Sequence, residues 1–178
     1  MVRAARAMTL AALSMLASSL PGQTVLNPLP AKVFGQAQLP RSLDALAAPS
    51  ANTPNLPDAR GLFRPTSVAV DLSADPPILY VADTANNRVL AWRDATALTT
   101  GAPADRVIGQ RDFSSTAPIN ITVSQAFPSA LYAPTAVAVD RNGNLFVADA
   151  GNNRILRYPK PFEQPEGEPV VADLVIGQ

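Results

Sequence analysis

Residues 131–158 read LYAPTAVAVDRNGNLFVADAGNNRILRY. Two apolar runs in this segment, at 134–140 and 145–149, are joined by a turn that contains the pair Asn142-Gly143. An Asn-Gly pair between such runs is a strong hairpin signal, because both residues tolerate positive φ. A third run follows a second turn, at 154–158. The segment therefore predicts an antiparallel meander of short strands.

The same pattern occurs earlier in the chain. Residues 62–71 match 131–140 almost residue for residue, and residues 79–92 match 145–158. A heptapeptide also recurs, as ADRVIGQ at 104–110 and ADLVIGQ at 172–178, with a weaker copy, VFGQ, at 33–36. The two heptapeptides lie 68 residues apart, which gives the length of one repeat unit.

The central runs carry apolar residues on both faces, since Val137 and Val139 alternate with Ala136 and Ala138. Such a meander must be covered on both sides, as happens when sheets stack face to face. Four-stranded meanders stacked around an axis make a propeller. We therefore predict an all-β fold of β-propeller blades. Aromatic residues at equivalent repeat positions are predicted to pack between blades: Phe63, Tyr80, Trp92, Tyr132, Phe146 and Tyr158.

At these residues the chain resembles a known family. The patterns Pro-x-x-Val-Ala-Val-Asp and Gly-Asn-Leu-Phe-Val-Ala-Asp-x-x-Asn-Asn-Arg-Ile resemble the NHL repeat over residues 62–92 and 131–158. The resemblance implies four-stranded propeller blades, usually six to a ring. The Val-Ile-Gly-Gln element is similar to a variant common in exported bacterial NHL-repeat proteins.

The repeat length bears on ring closure. A typical propeller blade has ~40–45 residues, so a chain with this longer unit holds about two blades and an incomplete ring. We expect an N-terminal fragment of a longer propeller. The rival expectation is a two-blade chain that completes a ring by self-association, because uncovered blade faces expose apolar surface.

The beginning of the chain predicts export. Arg3 and Arg6 precede an uncharged, largely apolar stretch at 7–20, which ends in small residues before Pro21 and Gly22. This is the pattern of a secretory signal peptide. A membrane anchor is disfavoured, because spanning a bilayer takes about 20 apolar residues. We expect a secreted, periplasmic or cell-surface protein with no membrane span after signal removal.

The expected organisation follows from these features. It comprises a signal peptide at 1–22, an N-terminal strand with a Pro/Ala-rich loop at 23–61, a first NHL-type repeat at 62–110, a loop insertion at 111–130 and a second repeat at 131–178.

Composition excludes several functional classes. The chain has 14 basic and 14 acidic residues and neither cysteine nor histidine. Zero net charge gives no driving force for phosphate neutralisation, so we expect no nucleic-acid partner. A disulfide framework, a thiolate nucleophile, a His/Cys zinc site and a Ser/His/Asp triad are all excluded within this chain. We expect no cofactor, no catalytic residues and no metal site.

One polar motif occupies the same place in both repeats. It comprises Asp83, Asn87 and Arg88 in the first repeat and Asp149, Asn153 and Arg154 in the second. Binding of an anionic or sugar ligand is one interpretation. The favoured one is structural: each Asp accepts hydrogen bonds from the following turn or pairs with the Arg, while the Asn residues accept left-handed backbone angles.

Two loops break the repeat symmetry and are candidate binding loops. The first begins with Arg111, Asp112 and Phe113, after the heptapeptide. The second carries three carboxylates between prolines, those of Glu163, Glu166 and Glu168. Long loops on a rigid scaffold are where binding usually occurs. The alternative is that the acidic residues are simply a solvated loop.

Two functional hypotheses remain. The preferred one is an exported, non-catalytic module that binds protein or carbohydrate through its loops. The alternative is a fragment of a six-bladed propeller enzyme, a lactonase-like metal-dependent hydrolase using Asp, Asn and Glu around a central cation. That enzyme needs residues that break the repeat symmetry and point toward the axis, whereas the conspicuous polar groups here recur in both repeats.

Overall fold

The structure, a computed structural model, describes Lys32, Gly35, residues 57–118 and residues 129–177. The predicted signal peptide lies outside these residues. The described part contains two four-stranded antiparallel sheets, each a meander in chain order. The first sheet consists of β1 (Ser67–Asp71), β2 (Ile78–Asp83), β3 (Arg88–Trp92) and β4 (Arg106–Ile108). The second consists of β5 (Pro134–Val139), β6 (Leu145–Asp149), β7 (Arg154–Tyr158) and β8 (Leu174–Ile176). The predicted all-β, blade-like fold is confirmed.

The β5–β6 hairpin that the Asn142-Gly143 pair predicted is confirmed. Val137 pairs with Val147 and Val139 with Leu145, which leaves a loop of five residues. Only its glycine, Gly143, has positive φ, at 81°. The Asn-Gly pair thus lies in the turn, with the left-handed conformation at its glycine alone.

The β2–β3 and β6–β7 connections are alike in both sheets. Each contains one turn of 3-10 helix, at Thr84–Asn86 and Ala150–Asn152. Each turn ends on a left-handed asparagine, Asn87 with φ 54° or Asn153 with φ 53°. Asparagine tolerates this conformation better than most residues with a side chain, which explains the recurring Asn-Asn-Arg.

The two sheets pack face to face. From the first sheet, Tyr80 and Val89 contribute to the shared core, and from the second, Val147 and Tyr158 do so; these four side chains are fully buried. Tyr80, Trp92 and Tyr158 are buried, as the aromatic pattern predicted. Phe63, at 44% exposed, is not a core residue, so the prediction is wrong there.

Coverage differs between the sheets. Every residue of β2 and β3 is buried, because Leu98 and Ala104, outside the strands, pack with Leu90 and Trp92 on the other face of the first sheet. In the second sheet, burial alternates along β6 and β7. Its outer face exposes Ile155 and Ile176, so within the described residues this sheet is covered on one side only.

The recurring Ile-Gly-Gln element joins consecutive repeats. Gly109 has φ 87°, and a Cβ built there would lie 2.4 Å from Leu131 Cδ1. At the equivalent Gly35, φ is 80°, and an added Cβ would likewise collide with Leu62. Glycine is required at both positions for two reasons: its φ is positive, and a leucine packs where a side chain would begin. The glycine of the element therefore packs against the first leucine of the following repeat.

Candidate functional site

Asp83 is the centre of a buried polar cluster in the first repeat. Its Oδ1 accepts a hydrogen bond from Phe63 N at 2.6 Å. Its Oδ2 accepts from Asn86 Nδ2 at 2.8 Å and pairs with Arg88 Nε at 2.7 Å. Both side chains of the ion pair are fully buried. The cluster closes the β2–β3 turn onto the segment that precedes β1.

The Arg88 guanidinium extends this cluster to two loop segments. It donates to the carbonyl oxygens of Asp58 at 3.0 Å, of Gly61 at 2.9 Å and of Phe113. A buried charge must be paired and hydrogen-bonded to be tolerated. The contacts of Arg88 meet this requirement, and they anchor the backbone of the candidate binding loop at Phe113.

The second repeat reproduces the arrangement. Asp149 Oδ1 accepts from Tyr132 N at 2.7 Å. Its Oδ2 accepts from Asn152 Nδ2 and pairs with Arg154 Nε, each at 2.8 Å. Arg154 Nη2 donates to Ala130 O at 2.9 Å. The geometry shows these repeat-motif residues bonded to their own scaffold, which leaves the two carboxylates little freedom to bind a ligand.

The two asparagines that end the turns have different surroundings. Asn87 is buried, donates to Thr116 O at 2.9 Å and accepts from Ala133 N at 2.8 Å. Asn153 is exposed. Ala133 belongs to the second repeat, so Asn87 links one repeat to the next.

The two candidate binding loops meet at one groove. It has a volume of about 540 Å³ and lies along β4 and beneath the 162–169 loop. Five of the six predicted loop residues line it: Arg111, Asp112, Phe113, Glu166 and Glu168. The groove is within the size range of ordinary ligand sites, and it is formed by residues from both repeats. We call it the loop groove.

Arg93 and Arg106 hold the second loop over the first sheet. Arg106 Nη1 donates to Gln164 O at 3.1 Å and its Nη2 to Pro165 O at 2.7 Å. The Arg93 guanidinium carbon lies 4.6 Å from the Phe162 ring centroid, a cation–π distance. The long loop is thereby fixed at one wall of the loop groove.

Asp112 has a local structural role. Its Oδ1 accepts hydrogen bonds from the backbone N–H and hydroxyl of both Ser114 and Ser115, at 2.7–2.9 Å. Because these bonds favour the ionised form, they lower the pKa of Asp112 to about 2. Phe113 is half-buried and packs against the apolar cluster of the first sheet. Arg111 is the member of this trio whose charge has no partner among residues 57–118 and 129–177.

Arg111 and Glu168 are the charged side chains of the loop groove without a partner. Both are exposed, and within residues 57–118 and 129–177 neither makes a hydrogen bond or an ion pair. They carry opposite charges and come from the two different loops. As far as the described residues go, the loop groove therefore offers a ligand one free cation and one free anion.

A comparison with known families identifies the repeat. The family profile described as NHL repeat matches residues 131–158. Residues 131–158 are therefore an NHL repeat. The match covers β5, β6 and β7, and it confirms the resemblance based on the sequence motifs of these strands. No curated protein matches the chain.

Glu163 is the predicted loop residue that the structure places elsewhere. Its Oε1 pairs with Lys160 Nζ at 2.8 Å. It lines a separate cavity at the turns of the two sheets. The acidic loop is therefore divided, with Glu166 and Glu168 at the loop groove and Glu163 outside it.

Sequence reasoning missed Arg93, Arg106 and Phe162. A signal for Arg106 was present, because the first heptapeptide has Arg106 where the second has Leu174. A polar residue that replaces an apolar one in an otherwise repeated element marks a break of symmetry. Phe162 could not be found in this way, since its loop has no counterpart in the first repeat.

Two further observations concern the described residues alone. Within 57–118 and 129–177, no three Asp or Glu side chains are grouped so that they could hold a metal ion. No helix in this part of the chain is long and apolar enough to span a bilayer.

Proposed function

We propose that this NHL-repeat protein is an exported, non-catalytic propeller module that binds a partner protein through the loop groove. One observation carries the proposal: the two loops that break the repeat symmetry converge on a single groove. The side chains shared by both repeats are used for the scaffold, whereas those unique to one repeat line the groove. Export rests on the predicted signal peptide at 1–22.

The chemistry of the loop groove favours an extended protein segment. Arg111 and Glu168 provide charges of both signs. Strand β4 is the outermost strand of its sheet, and an edge strand can pair with an added peptide strand. Alternate side chains of that peptide would reach the charged groups, so the best ligand carries both an acidic and a basic residue.

A display experiment tests this proposal. A random peptide library is selected on the full chain, and the enriched peptides are measured against Arg111→Ala, Glu168→Ala and the double variant. We expect peptides with both charge signs, and an affinity loss of about tenfold or more in the double variant. Arg60→Ala, an exposed charge outside the groove, is the control and should bind as the unaltered chain does.

The competing hydrolase hypothesis predicts a different experimental result from the binding proposal. Turnover of a lactone that stops when a chelator is added would replace the binding proposal with the metal-dependent enzyme. Peptide capture without turnover supports the module. Carbohydrate binding at the loop groove, lost in the double variant, would keep the module and change its ligand class.

We also propose self-association, from the uncovered outer face of the second sheet and the exposed side chains of β1 in the first sheet. The outer face of the second sheet carries Phe146 and Ile155, at the positions of Tyr80 and Val89, which the first sheet buries against the second. The first sheet in turn exposes Val68, at the position of Val137, which the second sheet buries. Each exposed face thus matches a partner already seen inside the chain, so a second copy can dock head to tail.

A further inference from the structure

A second cavity, of about 340 Å³, lies where the β1–β2 turn of the first sheet meets the β5–β6 turn of the second. Its walls include Asp71, Ile78, Tyr80, Arg141 and Phe162. We call it the turn cavity. It is distinct from the loop groove, and Phe162 is the one residue that lines both.

Tyr80 lines the turn cavity and carries an unsatisfied hydroxyl. The residue is fully buried. Within the described part of the chain, its hydroxyl is the only buried side-chain nitrogen or oxygen without a hydrogen-bond partner. Leaving such a group unpaired is unfavourable. Tyr158 shows the contrasting case, because its buried hydroxyl donates to Ser129 O at 2.5 Å.

Asp71 supplies an acceptor among the residues that line the same cavity. The residue is 3% exposed, and its Oδ1 accepts from Ser73 N at 2.8 Å and Ser73 Oγ at 2.6 Å. Oδ2 makes no hydrogen bond within the described residues. A Cβ on Gly143 would lie 3.1 Å from this Oδ2 and 2.9 Å from Ser73 Oγ. The glycine at the hairpin turn therefore leaves room at the carboxylate.

The charges of the turn cavity are balanced. Lys160 and Glu163 form an ion pair at 2.8 Å, and the remaining charges are Asp71 and Arg141. Two cations and two anions give no preference for a charged ligand. Burial, together with the charge of Asp71, raises the pKa of Tyr80, so its hydroxyl remains a neutral donor. The apolar part of the wall comes from Ala74, Ile78 and Phe162.

We infer that the turn cavity binds one ring of a neutral sugar. A hydroxyl of the sugar would donate to Asp71 Oδ2, and another would accept from the Tyr80 hydroxyl. The C–H groups of the ring would pack on the wall formed by Ile78 and Phe162. The cavity volume is at the lower end of the range for small-molecule sites, which suits a single ring. This site is additional to the proposed loop groove.

Calorimetric titration of the full chain tests the inference. The probes are glucose, galactose, mannose and N-acetylglucosamine, with glucuronate, glucosamine and inorganic phosphate as charged comparisons. We expect one-to-one binding of at least one neutral sugar, with a Kd of about 1 mM or below. Tyr80→Phe should weaken it about fivefold to tenfold, and Asp71→Asn should also weaken it.

Tyr158→Phe is the matched control, because it also removes one buried tyrosine hydroxyl. It should lower the melting temperature and leave sugar affinity within about twofold. Tyr80→Phe should keep or raise the melting temperature, since the hydroxyl it removes has no partner. A folded Tyr80→Phe protein that binds the sugar as tightly as the unaltered chain would overturn the inference. If Tyr80→Phe does not fold, Asp71→Asn decides in the same way.

Two other results would overturn the sugar site. One is that no heat of binding is measured with any neutral sugar at about 10 mM. This would mean that solvent alone satisfies the Tyr80 hydroxyl. The other is binding of phosphate or glucuronate only. The double variant of Arg111 and Glu168 should bind the sugar unchanged, so failure of the sugar site and failure of the loop groove are distinguishable.

Discussion

The side-chain oxygen of Asn87 accepts a hydrogen bond from the backbone N–H of Ala133 at 2.8 Å. An asparagine of the first repeat thus holds the segment that leads into the second. Asn153 has the same place in its own repeat and is exposed. The last asparagine of the motif therefore acts between repeats, in addition to ending its own turn.

Asn87→Gly and Asn153→Gly form a matched pair that tests this link. Glycine keeps the left-handed turn available in both. Asn87→Gly should lower the free energy of unfolding by about 2–3 kcal/mol, because a buried acceptor and a buried donor are both lost. Asn153→Gly should change it by about 0.5 kcal/mol or less. Urea denaturation followed by Trp92 fluorescence measures both, and equal losses would contradict the inter-repeat role.

Asp83→Asn tests the buried ion pair with Arg88. Removing one charge from a fully buried pair leaves the other uncompensated, and this costs about 3–5 kcal/mol. The comparison is Asp173→Asn, which breaks the exposed pair with Arg157 at 2.9 Å and should have a much smaller effect. Chemical denaturation of both variants checks the prediction. Similar stability of the two would show that the cluster around Asp83 is not a scaffold element.

Gly109→Ala tests the junction made by the heptapeptide. The added Cβ meets Leu131 at 2.4 Å, and φ is 87°. Overpacking and backbone strain together should cost about 3 kcal/mol or more. Gly167→Ala is the control, because its φ is also positive, at 78°, but nothing lies within 4 Å of its Cβ. The melting temperatures of both variants are compared. An equal fall in the two would mean that the backbone angle accounts for the whole effect.

Asp112 gives a pH dependence with a defined sign. Its pKa in the folded chain is about 2, against the ordinary value of 3.8. A lowered folded-state pKa contributes stability that is present above the unfolded pKa and is lost as pH falls through the folded one. The stability supplied by the Ser114–Ser115 turn should therefore decline between about pH 4 and pH 2. Asp112→Asn should show a smaller decline over this window, and an identical profile would count against the assignment.

Light scattering tests the proposed head-to-tail association. The full chain should have a mass above that of a monomer, and Ile155→Glu should shift it toward the monomer by charging the outer face of the second sheet. Leu72→Glu is a control at a highly exposed apolar residue in the β1–β2 turn. A monomeric full chain, or an equal shift in both variants, would contradict association through the sheet faces.

Much of the fold could be predicted because its signals are local and occur twice. The apolar runs and the Asn-Asn-Arg turns repeat at corresponding positions. A strand or turn predicted in one repeat could therefore be compared with its counterpart in the other. The hairpin at Asn142-Gly143 was predicted correctly, and its loop needs positive φ at the glycine alone. The exposure of Phe63 depends on how neighbouring segments pack, which no local pattern encodes.

The candidate site was harder to predict than the fold. Both binding loops were recognised because they have no counterpart in the other repeat. Their contact at one groove depends on hydrogen bonds from Arg106 to the carbonyls of Gln164 and Pro165, which are 58 and 59 residues away in the sequence. The turn cavity could not be predicted at all. Tyr80 occupies an ordinary core position of the repeat, and only the packing of the two sheets leaves its hydroxyl without a partner.

A charge swap at the loop groove tests the central claim most directly. The affinity of a selected peptide and of its charge-reversed form is measured against the unaltered chain and against the double variant Arg111→Glu, Glu168→Arg. We predict that the variant prefers the reversed peptide while the unaltered chain prefers the original. Unchanged preference for the original peptide in the swapped variant would contradict the claim that Arg111 and Glu168 recognise the partner.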